Sequence, residues 1–180
     1  LLGSNWSLLR PPTDIEVALL DNPAGDYTIT LGSAGTPVSV NVGLLVNNEV
    51  LNLTGNATTP TTLNLSSSIT YNGSTSSKNM GTISLTNARL EGMGALINEG
   101  TLNLTNSTIA NAGLTNQASA LISASGTNVL TGIFTLADTA TLTINNSASV
   151  TASSMTLTGG GGATINSGAS LTAGDLVLAG

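Results

Sequence analysis

The sequence lacks most of the residues on which enzyme and metal chemistry depend. It contains no cysteine and no histidine, and only three of its 180 residues are lysine or arginine. A chain without cysteine has no disulfide framework, no thiolate nucleophile and no cysteine metal site. The three basic residues and the net charge of −6 cannot neutralise a phosphate backbone, so nucleic acid is not an expected partner.

Charge and aromatic residues are also scarce, at 7% and 2% of the chain. No run approaches the ~18 apolar residues that a membrane-spanning helix needs, so membrane insertion is not expected. Hydrophobic residues nevertheless reach 40% and the mean hydropathy is +0.30, which excludes a disordered chain. Serine, threonine, asparagine and glycine fill the polar positions, and these residues suit turns and the outward side of a sheet.

Apolar and polar residues alternate through most of the chain, which predicts β-strands and no long helix. The apolar residues that alternate in this way include Ile15, Val17 and Leu19; Tyr27, Ile29 and Leu31; Val38, Val40 and Val42; Leu63 and Leu65; Ile83 and Leu85; Leu102 and Leu104.

An internal repeat organises the C-terminal half. Residues 134–157 align without a gap on residues 155–178, at an offset of 21 residues. Upstream, Leu114 precedes Phe134 by 20 residues, Leu121 precedes Leu142 by 21, and Leu102 precedes Leu121 by 19. The chain therefore contains coils of about 19–21 residues.

Each coil holds three short alternating segments, which predicts a three-sided solenoid. Stacking equivalent segments of successive coils gives parallel ladders about 4.8 Å apart. Because parallel crossovers are overwhelmingly right-handed, we predict an all-β, right-handed parallel β-helix. Matched corner residues, 145–146 over 166–167, predict a stacked ladder of polar side chains. The predicted inward core columns are Phe134, Leu136, Leu142, Ile144, Val150, Met155, Leu157, Ile165 and Leu171.

The N-terminal part is less regular than the repeat. Residues 1–22 hold a tryptophan, a Pro-Pro pair and much of the early charge, and we predict a capping or docking segment. Residues 23–180 form the predicted β-helix. A side loop is expected near residues 56–81, where Pro60, Asn72-Gly73 and a run of serines favour turns.

The acids do not form a pattern typical of catalysis or metal binding. A polysaccharide lyase or hydrolase needs clustered acids with a cation or a close carboxylate pair, but the repeat register places Asp138 and Asp175 at different corners. The expected role of both is to bond nearby backbone amides in turns. Asp14 and Glu16 alternate with apolar neighbours and are interpreted as the outward face of a strand. We therefore predict no catalytic residue, no metal site and no cofactor.

A carbohydrate-binding or polysaccharide-degrading module is the alternative from another functional class. Such a protein would gather its few aromatic and basic side chains in one groove. The residues that decide between the two hypotheses are Trp6, Tyr27, Tyr71, Lys78 and Arg89. We expect them to be dispersed.

Several sequence elements resemble a known group of proteins. They are NWS at residues 5–7, DYTITLG at 26–32, GTLNLTNSTI at 100–109 and ATINSGASLTAG at 163–174. Together these resemble secreted bacterial β-helix surface proteins, namely filamentous-haemagglutinin-like exoproteins and autotransporter passengers. NPAG at residues 22–25 looks like the NPxG element of two-partner secretion domains. The resemblance implies an extracellular, cell-surface location.

The expected function is structural. We predict a filament subunit that assembles head to tail with itself, or an adhesin stalk, with host or matrix glycans as further expected partners. The sequence also fits a fragment of a longer chain whose further coils are not included. The candidate self-assembly residues are Leu1, Leu2, Leu8 and Leu9 at one end and Leu176 and Leu178 at the other.

Overall fold

The computed structural model describes residues 12–21, 27–66 and 69–179. These residues form nineteen β-strands and no helix, so the part of the chain described here offers no candidate membrane-spanning helix. The strands stack in parallel as a β-solenoid of about seven turns, which confirms the predicted all-β class and parallel β-helix architecture. The right-handed crossover stays a prediction.

Each coil contributes one rung to each of three faces. Face 1 consists of β1 (Val17–Leu20), β4 (Leu44–Asn47), β7 (Ser77–Asn79), β10 (Leu96–Asn98) and β13 (Gly113–Asn116). Face 2 consists of β2 (Thr28–Leu31), β5 (Val50–Thr54), β8 (Thr82–Thr86), β11 (Thr101–Thr105), β14 (Leu121–Ser125), β16 (Thr141–Ile144) and β18 (Gly162–Ile165). Face 3 consists of β3 (Ser39–Val42), β6 (Thr61–Leu65), β9 (Ala88–Glu91) and β12 (Thr108–Ala110). Three long strands, β15 (Thr127–Leu136), β17 (Ser149–Thr158) and β19 (Ser170–Ala179), run along face 3 and bend onto face 1.

The backbone register gives the coil length. On face 2, Thr82 pairs with Thr101, Thr101 with Leu121, and Leu121 with Thr141, so these coils contain 19 or 20 residues. Val50 pairs with Thr82 across a much longer coil, because a side loop leaves the solenoid between β6 and β7. The described residues of this loop are 66 and 69–76, and the loop is narrower than predicted, since β6 and β7 are both regular rungs.

The first rung begins before the predicted domain boundary. Strand β1 pairs in parallel with β4, so residues 17–20 belong to the solenoid and not to a separate cap. The alternating residues Ile15, Val17 and Leu19 are not the inward ones here, because the strand starts at Val17 and its inward residues are Ala18 and Leu20. Ile15 lies in the preceding turn and is 68% exposed.

The C-terminal register agrees with the 21-residue repeat. Phe134 pairs with Met155 and Met155 with Leu176, while Leu136 pairs with Leu157 and then with Leu178. One upstream alignment was wrong: Ile122, not Leu121, stacks between Leu102 and Leu142. Leu121 points outward because it lies one position away, and a shift of one residue moves a side chain to the other side of a sheet.

The predicted core columns occupy two environments. The residues from the earlier coils are fully buried: Phe134, Leu136, Leu142, Ile144, Val150 and Met155. Leu157 and Leu171 are partly buried against the same core, whereas Ile165 is half exposed. Ile165 stacks in register on Ile144, but no described coil lies on its other side.

A ladder of four buried asparagines runs through the interior at the end of face 1. They are Asn47, Asn79, Asn98 and Asn116, each with 0% exposure. Each of the first three donates its Nδ2 hydrogen to the Oδ1 of the next, at 2.7, 2.6 and 2.5 Å. The amides also donate to backbone carbonyls at the corner, so the ladder satisfies both its own groups and the turning backbone.

The polar ladder that we predicted at residues 145–146 and 166–167 was misplaced, because the buried ladder lies at the end of face 1. Asn145 lies on the outer side of a turn, where its amide donates to Ser123 Oγ at 3.1 Å and Ser125 Oγ at 2.9 Å, and Asn146 is exposed.

Two kinds of corner distinguish the two halves of the solenoid. In residues 77–116, two residues join face 1 to face 2, and one or two join face 2 to face 3. In residues 133–179 the same joins are turns of three or four residues, each closed by its own backbone hydrogen bond. The four hydrogen bonds run from Ala140 N to Ala137 O, from Ala148 N to Asn145 O, from Gly161 N to Thr158 O and from Ala169 N to Asn166 O. We call these tight corners and turn corners; the coil from Gly113 to Leu130 has one of each.

Candidate functional site

A groove of about 350 Å³ with convergent polar groups lies on the outer side of face 1. We call it the side-loop groove, because residues of the side loop line one side of it. The lining residues are Leu44, Val46, Tyr71, Asn72, Ser74, Ser76, Lys78, Met80, Ile97, Glu99 and Gln117.

A short hairpin shapes the side loop. Tyr71 and Ser74 exchange two backbone hydrogen bonds of 2.9 Å, and the two residues between them, Asn72 and Gly73, have φ values of 47° and 77°. Asparagine followed by glycine is the preferred pair for a two-residue turn with both φ angles positive. Leu44 is nearly fully buried although it neighbours the inward Leu45 on the same strand, which fits a loop that covers this part of face 1.

A chain of polar contacts crosses three coils at the edge of the groove. Lys78 Nζ lies 2.8 Å from Glu99 Oε2, and Gln117 Nε2 donates to Glu99 Oε1 at 2.8 Å. The hydrogen bond from Lys78 lowers the pKa of Glu99, with a smaller contribution from Gln117, against the opposing effect of burial. Glu99 is therefore held as a carboxylate that accepts from both neighbours.

The groove brings together two of the side chains that we expected to be dispersed, so that expectation was wrong for Tyr71 and Lys78. Tyr27 lies apart from them at the start of β2. Arg89 lies on face 3, with Nε 3.7 Å from Glu91 Oε2. Trp6 lies outside the described residues.

Sequence reasoning missed Glu99 and Gln117 as groove residues. Each directly follows a ladder asparagine, Asn98 or Asn116, and those asparagines pair in the face 1 register. The repeated order of apolar residue, any residue, asparagine and then a long polar residue is the signal that could have located them.

Asp138, Asp175 and Glu16 lie in separate parts of the solenoid. Asp138 has a φ of 55° in a turn corner, as expected of a turn residue. Its carboxylate accepts a hydrogen bond at 3.1 Å from Ala118 N, a backbone amide of the preceding coil and not of its own turn. Asp175 pairs in register with Ser154 at the bend from face 3 to face 1. We predicted that Glu16 lies on a strand, and this was wrong. Glu16 lies in a turn, where its Oε2 accepts hydrogen bonds from Thr13 N and Thr13 Oγ1. Across 12–21, 27–66 and 69–179, no three acids are grouped so that they could hold a metal ion.

The last described coil, residues 162–179, is a second candidate surface. Leu176 and Leu178 are 59% and 74% exposed, although their stacked equivalents Phe134 and Leu136 are fully buried. The partner leucines predicted for self-assembly, Leu1, Leu2, Leu8 and Leu9, lie outside the described residues.

Comparison of the chain with protein-family models, with curated proteins and with solved structures finds no match.

Proposed function

We propose that the chain is a non-catalytic structural element of an extracellular surface protein, a filament subunit or an adhesin stalk that stacks end to end with copies of itself. The observation that carries this proposal is the continuous stack of parallel rungs, whose apolar core and buried asparagine ladder run from coil to coil and suit a stiff stalk or fibre. A parallel coil laid on the last described coil in register would bury the apolar columns at Ile165, Leu176 and Leu178 and pair the outer edges of β18 and β19.

The stacking partner in this proposal is the first coil of another copy. A contact between unlike ends of identical molecules does not close on itself and propagates into a fibre. Further coils of the same polypeptide would bury the columns in the same way, so the test uses the 180-residue chain itself. The extracellular location is part of the proposal and is supported by the sequence resemblance.

The proposal of a structural role is also supported by the arrangement of the acids. Glycosidic cleavage with two carboxylates requires the pair to flank one bond, whereas Asp138 and Asp175 lie at different corners. We expect no turnover of acidic polysaccharides. Turnover that disappears on changing Asp138 or Asp175 would contradict a structural role.

The assembly test compares the parent chain with two variants by electron microscopy and mass measurement. We expect the parent to form filaments and the Leu176→Lys/Leu178→Lys variant to remain a 17.8 kDa monomer, because two charges in the contact would have to be desolvated. Leu121→Lys, which changes an outward leucine on the flank of face 2, is the matched control and should still form filaments.

Deletion of residues 1–9 should also abolish filaments while the β-sheet signal persists, if these leucines dock on the last coil. A parent chain that stays monomeric at its highest soluble concentration would overturn end-to-end assembly. Filaments that survive both the double substitution and the deletion would assign the contact to other surfaces.

A further inference from the structure

The side-loop groove combines three kinds of surface within one small space. Tyr71 contributes an aromatic ring, and Ser74 and Gln117 contribute a hydroxyl and an amide. Val46 and Ile97 contribute apolar side chains from outward positions of face 1, one on each side of Lys78. Its charged residues, Lys78 and Glu99, neutralise each other at 2.8 Å. A charged ligand would therefore have to compete with an existing ion pair.

We propose that the side-loop groove binds a neutral oligosaccharide segment. A pyranose ring presents an apolar C–H face and a rim of hydroxyl groups that both donate and accept hydrogen bonds. The Tyr71 ring and the apolar floor match the C–H face, while the Glu99–Gln117 rim and the serine hydroxyls match the sugar hydroxyls. This inference goes beyond the structural role and does not rest on it.

The shape of the groove is consistent with a short piece of a longer glycan. A volume of about 350 Å³ lies at the low end of the roughly 300–1,000 Å³ range of small-molecule sites. The groove follows the outer side of face 1 across several coils, from Val46 on β4 to Gln117 after β13.

The contacts favour binding without cleavage. General acid catalysis of glycosidic cleavage requires a carboxylic acid that is protonated at the working pH. Glu99 supplies the groove's carboxylate, and its hydrogen bond from Lys78 lowers its pKa. Glu99 is thus suited to accept hydrogen bonds from sugar hydroxyls and unsuited to donate a proton to a leaving oxygen.

The first test is a printed glycan array probed with the intact 180-residue protein. The array carries neutral oligosaccharides of glucose, mannose and galactose beside matched oligosaccharides that contain uronic or sialic acid. We expect binding to one or more neutral glycans and weaker or no binding to the acidic counterpart of each. Binding to acidic glycans alone, or to none, would overturn the proposal.

The second test measures the best neutral oligosaccharide by titration calorimetry against three variants. Loss of the ring in Tyr71→Ala should weaken binding by about tenfold, whereas Tyr71→Phe keeps the ring and should retain most of the affinity. Tyr27→Ala removes the other tyrosine, which lies outside the groove, and should bind as the parent does. Equal affinity of Tyr71→Ala and the parent would contradict the assignment.

NMR shift mapping in the parent protein locates the bound glycan without any substitution that could disturb the side loop. In the parent protein, amide NMR signals should shift on titration at Val46, Ile97, Glu99 and Gln117, and stay unchanged on face 3. Shifts confined to face 3 or to the last coil would place the glycan elsewhere and overturn the proposed site.

Discussion

The two halves of the solenoid carry different residues at the corner that joins face 1 to face 2. At the inward position that ends each face 1 strand, residues 77–116 carry asparagine, whereas the later coils carry Leu136, Leu157 and Leu178 in the same column. The asparagine coils mostly have tight corners and the leucine coils have turn corners.

Corner type and residue change together in every coil from Ser77 onward except one. After Leu136 and Leu157 the turn corner closes with its own backbone hydrogen bond and the interior beside it holds an apolar side chain, whereas Asn116 keeps an asparagine beside a turn corner closed by Ala120 N to Gln117 O. At a tight corner the asparagine Nδ2 donates to nearby carbonyls, such as Gly100 O from Asn98 and Thr101 O from Asn79. Asn116 marks the change, because it ends the ladder, donates to Ala120 O and stacks directly beneath Leu136.

The largest expected effect is that of breaking the ladder in its middle. Asn98→Leu removes the hydrogen bonds to both Asn79 and Asn116 and leaves their amides buried with fewer partners. We expect the free energy of unfolding in urea to fall by about 2–4 kcal/mol. Asn116→Leu also removes three hydrogen bonds, one to the ladder and two to the carbonyls of Ala120 and Thr141, but leaves one ladder amide with a lost partner instead of two. It should therefore cost less than Asn98→Leu, and a larger loss would show that the ladder does not act as a chain.

A smaller effect is expected from glycines at the two kinds of corner. Gly126, at a tight corner, has a φ of 66°, and a Cβ there would lie 2.1 Å from Asn106 Oδ1, which accepts from Thr127 N. Gly168, in a turn corner, has a φ of 69° but its nearest neighbour would be 3.5 Å away.

We therefore expect Gly126→Ala to lower the unfolding free energy by about 2 kcal/mol and Gly168→Ala by about 1 kcal/mol, measured in urea. If Gly168→Ala proved the more damaging change, the tight corner would not be the more crowded one.

Ala118 offers a change in the opposite direction. It has a φ of 55° in the first turn corner, a conformation that carries a steric penalty for any residue with a Cβ. Ala118→Gly keeps the backbone N–H that bonds Asp138 and should raise the unfolding free energy by up to about 1 kcal/mol. A lower melting temperature for this variant would argue against that conformation.

The smallest effect concerns the outer side of face 1, where Lys78, Glu99 and Gln117 join three coils. The pKa of Glu99 is lowered in the folded protein, mainly by the Lys78 hydrogen bond. The resulting stability is present above the unfolded pKa of about 4.3 and is lost as the pH falls through the lower folded value. Glu99→Gln should reduce the loss of unfolding free energy at acid pH. Because both side chains are partly exposed, we expect this change to be less than about 1 kcal/mol.

The regular half could be predicted from the sequence because every coil there has the same length. The 21-residue offset placed Phe134 on Met155 and Leu136 on Leu157, as the structure does. The tight-corner half could not be aligned in this way, since coils of 18 to 20 residues follow a coil with an inserted loop. The 21-residue offset matched Leu121 with Leu142, whereas the true offset of 20 residues places Ile122 there.

The asparagine ladder and the groove were missed for a related reason. An asparagine at an inward position reads as a turn residue unless its equivalent in the next coil is known, and Asn79, Asn98 and Asn116 become equivalent only when the register is fixed. The side loop places Tyr71 in the same groove as Lys78 and Glu99. The path of that loop follows no periodicity in the sequence and could not be predicted.

The most direct test of the account is hydrogen exchange at the asparagine side chains, followed by NMR in the unmodified protein. We predict that the Nδ2 hydrogens of Asn47, Asn79, Asn98 and Asn116 exchange slowly, because they are buried and bonded within the ladder, while those of the exposed Asn146 exchange at the rate of a free amide. Exchange of the four ladder amides as fast as that of Asn146 would contradict a buried asparagine ladder and, with it, the distinction between the two halves of the solenoid.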